Sequence, residues 1–269
     1  MTETTIKGTN GYEIPCVYTL TGAEKKAVLV IHGFGSSKES PTAQMLTEHF
    51  PKQGIGTLAL DLPAHGESPV GGECLTLANC LADMKAAEQE IKRLAPEAEL
   101  LYFGSSFGAY LTLLHLASGK AGGKKAFLRS SAVEMPKILR ERAFEHRGLL
   151  EKQGYLMADE DYVRPLKLMG EFFDELEAND VFETYKAGCA EGTELYMVHG
   201  SLDETASFEA AKAFAGLAGA RFTALEGGDH RLSLAGMPER VTELAAGFFL
   251  EHLPEALPIR GVAQHIGKW

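Results

Sequence analysis

Gly104-Ser105-Ser106-Phe107-Gly108 places a serine between small residues two positions to either side. A serine on a strained strand-to-helix turn needs that spacing, because larger neighbours would clash and keep the hydroxyl from standing clear of a sheet. The apolar run at 100–103 and the helix-forming run after Gly108 supply the required context. A serine hydroxyl is a poor nucleophile at neutral pH, so Ser106 needs a base. His230, in Glu226-Gly-Gly-Asp-His230, follows the last strand-like run in a loop able to reach over a sheet end. His65, in a loop near the same edge, is the rival base; His32 and His199 each end a strand before glycine and read as turn buttresses. An acid lying between serine and histidine in the chain would accept the imidazole N–H and fix its tautomer. Asp203 has that position, with Glu204 as the obvious alternative and Asp180 and Glu183 as weaker ones; the lesser reading of Asp203 is a cap on the helix that follows. An oxyanion formed at Ser106 would need two N–H donors. Phe107, at a helix N-terminus, is expected to supply one, and Phe34, whose flanking glycines let its amide turn inward, the other.

These residues need a scaffold that brings them to one edge. Short apolar runs at 26–31, 56–60, 100–103, 126–128, 194–198 and 221–225 alternate with helix-type segments at 41–50, 75–94, 107–117, 208–217 and 238–252. Such alternation predicts a mostly parallel sheet with helices on both faces, and residues 5–20 read as an antiparallel edge. Ligands bind outside the carboxyl ends of such strands. In this chain those ends carry His32-Gly-Phe-Gly35, Asp61, the Ser106 pentapeptide, Arg129, Asp203 and His230. Asp61 with Gly66 and Ser68 is expected to shape a loop. Residues 134–185 show no strand signal and are too long for an ordinary connection, so they are read as a helical cap or lid inserted into a core of 1–133 and 186–269. Residues 134–180 hold 12 acidic against 7 basic side chains, together with Met135, Phe144, Tyr155, Tyr162, Met169, Phe172 and Phe173. A charged outer face over an apolar inner one suits an uncharged acyl or aromatic ligand, with Met135 and Phe172 as candidate contacts. Arg129 either binds a substrate carboxylate or pairs with one of the many acids.

Composition narrows the options. The chain is 45% hydrophobic and 23% charged, and its 26 basic and 37 acidic residues give a net charge of −11. An acidic surface argues against nucleic acid or an anionic membrane as partner. Residues 100–119 carry no Asp, Glu, Lys or Arg, but Gly104, Ser105, Ser106 and Gly108 divide them into a strand, a turn and a buried helix rather than a membrane span. Cys16, Cys74, Cys80 and Cys189 form no C-x-x-C pair and read as inert reduced thiols. The N-terminus lacks the basic start and apolar core of a signal peptide, so a cytoplasmic monomer or homodimer is expected. H-E-x-x-H, the P-loop and G-x-G-x-x-G are absent from the sequence, so neither metal nor cofactor is expected.

Taken together, His32-Gly-Phe-Gly-Ser-Ser37, Asp61-Leu-Pro-Ala-His-Gly-Glu-Ser68, Gly104-Ser-Ser-Phe-Gly108, His199-Gly-Ser-Leu-Asp-Glu204 and Gly227-Gly-Asp-His230 resemble the motifs of the α/β-hydrolases, in family order. The resemblance spans these motifs but not the 134–185 segment. It is strongest to compact intracellular esterases of the feruloyl and cinnamoyl esterase, dienelactone-hydrolase-like and serine-aminopeptidase-like branches. It implies an α/β-hydrolase fold with a sheet of about eight strands and a helical cap after the sixth. It also implies a Ser106–His230–Asp203 triad, with Phe34 and Phe107 as oxyanion donors and a small acyl or aromatic ester as substrate. A thioesterase or small peptidase would use the same residues, and a non-catalytic binding protein could keep the same fold. Ser106 separates the chain from relatives that use Asp or Cys as nucleophile. Ser105 stands where His, Gln or Tyr is commoner, and Ala109 where a second glycine is frequent.

Overall fold

Uninterrupted apolar runs become interior strands because both of their faces must be covered. The computed structural model describes residues 1–252 except 160, 161, 187 and 189. Its strands are β1 (Thr2–Lys7), β2 (Glu13–Tyr18), β3 (Lys26–Ile31), β4 (Ile55–Leu60), β5 (Glu99–Ser105), β6 (Lys125–Arg129), β7 (Tyr155–Ala158), β8 (Leu166–Met169), β9 (Glu194–Gly200) and β10 (Arg221–Leu225). Eight of them form one sheet in the order β1-β2-β4-β3-β5-β6-β9-β10. β2 runs against both of its neighbours, and every later pair in the sheet is parallel. This is the α/β-hydrolase architecture the motifs imply.

The helices are α1 (Pro41–His49), α2 (Leu77–Leu94), α3 (Phe107–Ala117), α4 (Met135–Glu145), α5 (Arg147–Gln153), α6 (Gly170–Glu177), α7 (Val181–Lys186), α8 (Phe208–Ala218) and α9 (Met237–Phe249). Local sequence starts several of them: Ser40, Thr76 and Ser207 each accept a backbone N–H of the first turn of α1, α2 and α8. Because side chains alternate along a strand, the sheet divides the interior in two. Ala27, Leu29 and Ile31 pack with α2, α3 and α8, whereas Val28 and Val30 pack with α1 and α9. Among the described residues no helix is long and apolar enough to cross a membrane. Residues 100–119 form β5, a turn and α3, as read from the sequence.

Between β6 and β9 lie α4–α7 and an antiparallel pair, β7–β8. The pair corrects the expectation of a purely helical segment. Each strand is four residues long and built from Tyr, Leu, Met, Ala and Lys, so neither length nor β-branching announces it. Tertiary burial of Leu156, Ala158, Leu166 and Leu168 holds it. Burial pushes the Cys16 and Cys80 thiols up, away from reactive thiolate. Cys189 and residues 253–269 lie outside the described residues.

Asp83 on α2 is fully buried, with one carboxyl oxygen accepting the Tyr12 hydroxyl at 2.9 Å and the other without a hydrogen-bond partner among the described residues. Burial pushes its pKa up to about 7, although the Tyr12 bond opposes this. The folded chain therefore holds a proton that the unfolded chain releases near pH 4, and stability falls as pH rises from there through 7. Asp83→Asn keeps an acceptor for Tyr12 and removes the titration. Its stabilisation is expected to grow from near zero at pH 4 to on the order of 2 kcal/mol at pH 8. Urea unfolding at both pH values measures this; equal destabilisation at both would contradict it.

Candidate active site

β5 ends in a turn that the backbone can make only with small neighbours. Ser106 has φ 53° and ψ −113°, a left-handed conformation that a non-glycine residue adopts at a cost. A Cβ on Gly104 would lie 2.7 Å from the Ala109 Cα and the Gly108 carbonyl oxygen. One on Gly108 would lie 2.3 Å from the Ile31 carbonyl oxygen and 2.5 Å from that of His32. The two glycines thus let α3 pack against the ends of β3 and β5, which holds Ser106 out on the turn. The strain is offset locally: the Ser106 N–H donates to the Arg129 carbonyl, and its own carbonyl accepts from Ala109, Tyr110 and Ala132.

The loop after β10 brings His230 to Ser106, with Nε2 3.0 Å from Oγ. His230 Nδ1 lies 2.8 and 3.0 Å from the two Asp203 carboxylate oxygens. Nδ1 therefore carries the hydrogen, leaving Nε2 as acceptor for the Ser106 hydroxyl. The Asp203 side chain is wholly buried, while that of His230 is 17% exposed. Asp203 sits in the turn after β9, where one of its oxygens also accepts the N–H groups of Thr205 and Ala206. The capping role weighed from the sequence is thus partly real, although α8 itself begins at Ser207. Burial raises the Asp203 carboxyl, but hydrogen bonds from His199 and His230 outweigh it and hold the group well below the usual carboxylate range.

His199 is the residue the sequence reading undervalued. Its Nε2 lies 2.9 Å from an Asp203 oxygen and 3.0 Å from the Ala206 carbonyl, so this nitrogen also carries a hydrogen. Asp203 is consequently held between two imidazoles. A histidine four residues before the acid, across a strand-to-turn junction, was the available signal. The alternatives lie elsewhere: Glu204 is exposed, Asp180 accepts N–H groups at the start of α7, and Glu183 pairs with Lys186. His65 is buried, donates from Nδ1 to the Pro63 carbonyl and makes no hydrogen bond to Ser106; burial takes its pKa down to about 3. His32 is likewise held neutral by burial, at about 4, and buttresses its turn by accepting the Leu62 N–H at Nε2.

The loop after β3 approaches Ser106 from the other side, where a Cβ on Gly33 would lie 3.3 Å from the serine Cβ. Among the described residues neither the Phe34 nor the Phe107 N–H has a hydrogen-bond acceptor. The Phe107 N–H stands at the N-terminus of α3, with that helix's N-terminal field behind it.

The family model described as serine aminopeptidase, S33 matches residues 22–169, more than half of the chain. The chain belongs to this family. No curated protein sequence matches it. Est1E from Butyrivibrio proteoclasticus, solved with ferulic acid bound, superposes with a TM-score of 0.77 at 22% identity, over 93% of this chain and 98% of that one. The esterase domain of a Rhodothermus marinus protein gives 0.69 at 20% identity, over 91% and 96%. Esterase EaEST from Exiguobacterium antarcticum gives 0.66 at 17%, over 93% and 100%. At these identities the likeness establishes the fold.

Around Ser106 this α/β-hydrolase presents aromatic rings. Phe34 stacks on Phe172 at 6.2 Å between centroids and meets Phe107, Tyr162 and His65 edge-on at 5.4, 5.8 and 5.5 Å. Tyr162 lies where a Cβ of Gly35 would be, and the Val163 N–H donates to the Gly35 carbonyl at 2.8 Å. The Arg164 guanidinium donates to the Ser68 carbonyl. Tyr162 and Val163 thereby strap the segment before α6 onto the loop that carries Phe34, and Arg164 straps it onto the loop after β4. Of the residues proposed from sequence to contact a ligand, Phe172 is brought beside Phe34 and Phe107. Met135 is buried at the start of α4, and Arg129 lies behind the Ser106 turn. Asp61 shapes its loop as expected, accepting the N–H groups of Lys38 and Glu67.

Proposed function

We propose that this hydrolase is a serine carboxylester hydrolase that works through an acyl-enzyme on Ser106. The supporting observation is the unbroken hydrogen-bonded series from Ser106 Oγ through His230 to buried Asp203, with contacts of 3.0 and 2.8 Å. His230 Nε2 takes the Ser106 proton as Oγ attacks the ester carbonyl, and Asp203 stabilises the resulting imidazolium. The Phe34 and Phe107 amides hold the oxyanion. As the carbonyl re-forms, the C–O bond to the alcohol breaks and His230 delivers its proton to that oxygen. Water, deprotonated by His230, then attacks the acyl carbonyl, and the acid leaves as the proton returns to Ser106.

The substrate class rests on the side chains beside the serine. An aminopeptidase must hold a free ammonium next to the scissile bond, which calls for an unpaired carboxylate there. Phe34, Phe107, Phe172 and Tyr162 offer apolar faces instead, suited to an uncharged acyl or aromatic group. Residues 134–185 act as the cap that supplies Phe172 and Tyr162. A panel of p-nitrophenyl acetate, p-nitrophenyl butyrate, a methyl hydroxycinnamate and an aminoacyl p-nitroanilide tests this reading. The account expects kcat/KM for the esters to exceed that for the anilide by about 100-fold or more, since the described side chains around Phe34 offer aromatic faces rather than an ammonium partner. Preference for the anilide would make the protein a peptidase.

A further inference from the structure

Arg129 carries a charge that the proposed chemistry does not use, in a place where a charge is costly. Strand parity puts it on the α9 side of the sheet: Leu101 and Phe103 of β5 and Phe127 of β6 belong to the core shared with α1 and α9, and Ser105 and Arg129 are the next positions on the same faces. It therefore lies across the sheet from α3. Among the described residues no carboxylate comes within ion-pair distance of its guanidinium, so the pairing with an acid read from the sequence is not formed there. Burial lowers its pKa to about 10, opposed by the charges of Asp203 and Asp229, and it remains a cation at neutral pH.

Its partners are two neutral acceptors. One guanidinium nitrogen donates to Ser105 Oγ at 3.1 Å, and the other terminal nitrogen donates to the carbonyl of Arg231. Ser105 precedes Ser106 and Arg231 follows His230. The Arg129 carbonyl meanwhile accepts the Ser106 N–H at 2.9 Å. The loop from 226 to 236 has no helix or strand of its own, and Gly227 and Leu232 both have positive φ. Besides the His230 contacts, its bonds include Leu202 N–H to the Gly228 carbonyl, Gly227 N–H to Ser201 Oγ, and Ser233 N–H to the Asp229 carboxylate. Those bonds hold the loop to β9. The Arg129 side chain ties it to Ser105, beside the contact of His230 Nε2 with Ser106 Oγ.

We propose that Arg129 is a positioning residue, a two-pronged clamp that sets His230 against Ser106 by joining the residues next to each. A planar guanidinium suits the task because its donors are fixed relative to one another, which a lysine ammonium cannot reproduce. Ser105, short where larger side chains are commoner in the resembled family, leaves room for the guanidinium and supplies one prong's acceptor. The proposal rests on the serine-hydrolase reading above.

The test compares wild type, Arg129→Met, Arg129→Lys, Ser105→Ala and the Ser105→Ala/Arg129→Met double variant. Thermal unfolding is followed for each, with p-nitrophenyl acetate turnover and fluorophosphonate labelling rates. Loosening the serine–histidine geometry should lower kcat of Arg129→Met by about 10- to 100-fold with KM within about twofold, and labelling should slow in parallel. Arg129→Lys should recover part of the loss. Ser105→Ala should cost about three- to tenfold alone and nothing further in the Arg129→Met background, because both changes break the same prong. Wild-type kcat in both Arg129→Met and Ser105→Ala overturns the clamp, as do losses that add in full in the double variant. If Arg129→Met does not fold, Ser105→Ala and Arg129→Lys carry the test, and normal kcat in both overturns it. A wild type that neither turns over ester nor labels refutes the serine-hydrolase reading itself, whereas a labelled wild type with indifferent variants refutes the clamp alone.

Discussion

Ser106→Ala is expected to lower kcat on an ester by about 10⁶-fold while the protein remains folded. The magnitude follows from removing the attacking atom from a unit whose members act together, so that the His230–Asp203 pair has nothing to activate. The fold should tolerate the change because the turn is held by main-chain bonds: the Ser106 N–H to Arg129, and its carbonyl to Ala109, Tyr110 and Ala132. Alanine retains all of these, and its methyl group replaces the serine Cβ at the same positive φ. What remains is the contribution of the Phe34 and Phe107 amides, roughly 10³-fold over water. Steady-state turnover beside a thermal melt measures both. Activity above about one per cent of wild type in a purified, folded Ser106→Ala protein would contradict the assignment.

Gly108→Ala is the second large effect, and it reaches the same chemistry through packing. The added Cβ would lie 2.3 Å from the Ile31 carbonyl oxygen and 2.5 Å from that of His32, both main-chain atoms at the end of a central strand. No side-chain rotation relieves such contacts, so α3 must shift away from β3. That shift displaces the Phe107 N–H and the loop carrying Phe34 together. We expect a destabilisation of about 3 kcal/mol and a loss of at least about 100-fold in kcat. Gly148→Ala is the control: it lies in α5, and beyond its own helix backbone and chain neighbours its added Cβ meets nothing within 4 Å among the described residues. It should leave kcat unchanged and stabilise by up to about 1 kcal/mol, the ordinary helix preference for alanine over glycine. Denaturant unfolding and turnover of the two variants side by side test the pair. Equal behaviour of Gly108→Ala and Gly148→Ala would show that the elbow is not as tightly packed as described.

The site was legible in sequence where local chain geometry demands particular residue types. Gly104 and Gly108 mark the elbow because almost nothing else fits there, and the apolar alternation around them marks the sheet. Asp203 was separable from Glu204 only as a matter of chain position; burial, which the sequence does not display, is what distinguishes them. His199 reads in sequence as a turn buttress because its bond to Asp203 depends on how the turn after β9 folds back, not on composition. Arg129 illustrates the same limit from the opposite side. In a chain with 37 acidic residues an ion pair was the natural expectation, yet strand parity aims the side chain at Ser105 and the Arg231 carbonyl. β7 and β8 leave no signal in the sequence because four-residue strands of Tyr, Leu, Met, Ala and Lys are held by tertiary contacts, which sequence periodicity does not register.

The central claim is that Ser106 is an activated nucleophile, and the most direct measurement is fluorophosphonate labelling followed by mass spectrometric mapping of the modified residue. The account predicts a single adduct on Ser106 of the wild-type protein and none on Ser106→Ala. A folded wild-type protein that takes up no label, or an adduct elsewhere that persists in Ser106→Ala, would contradict it.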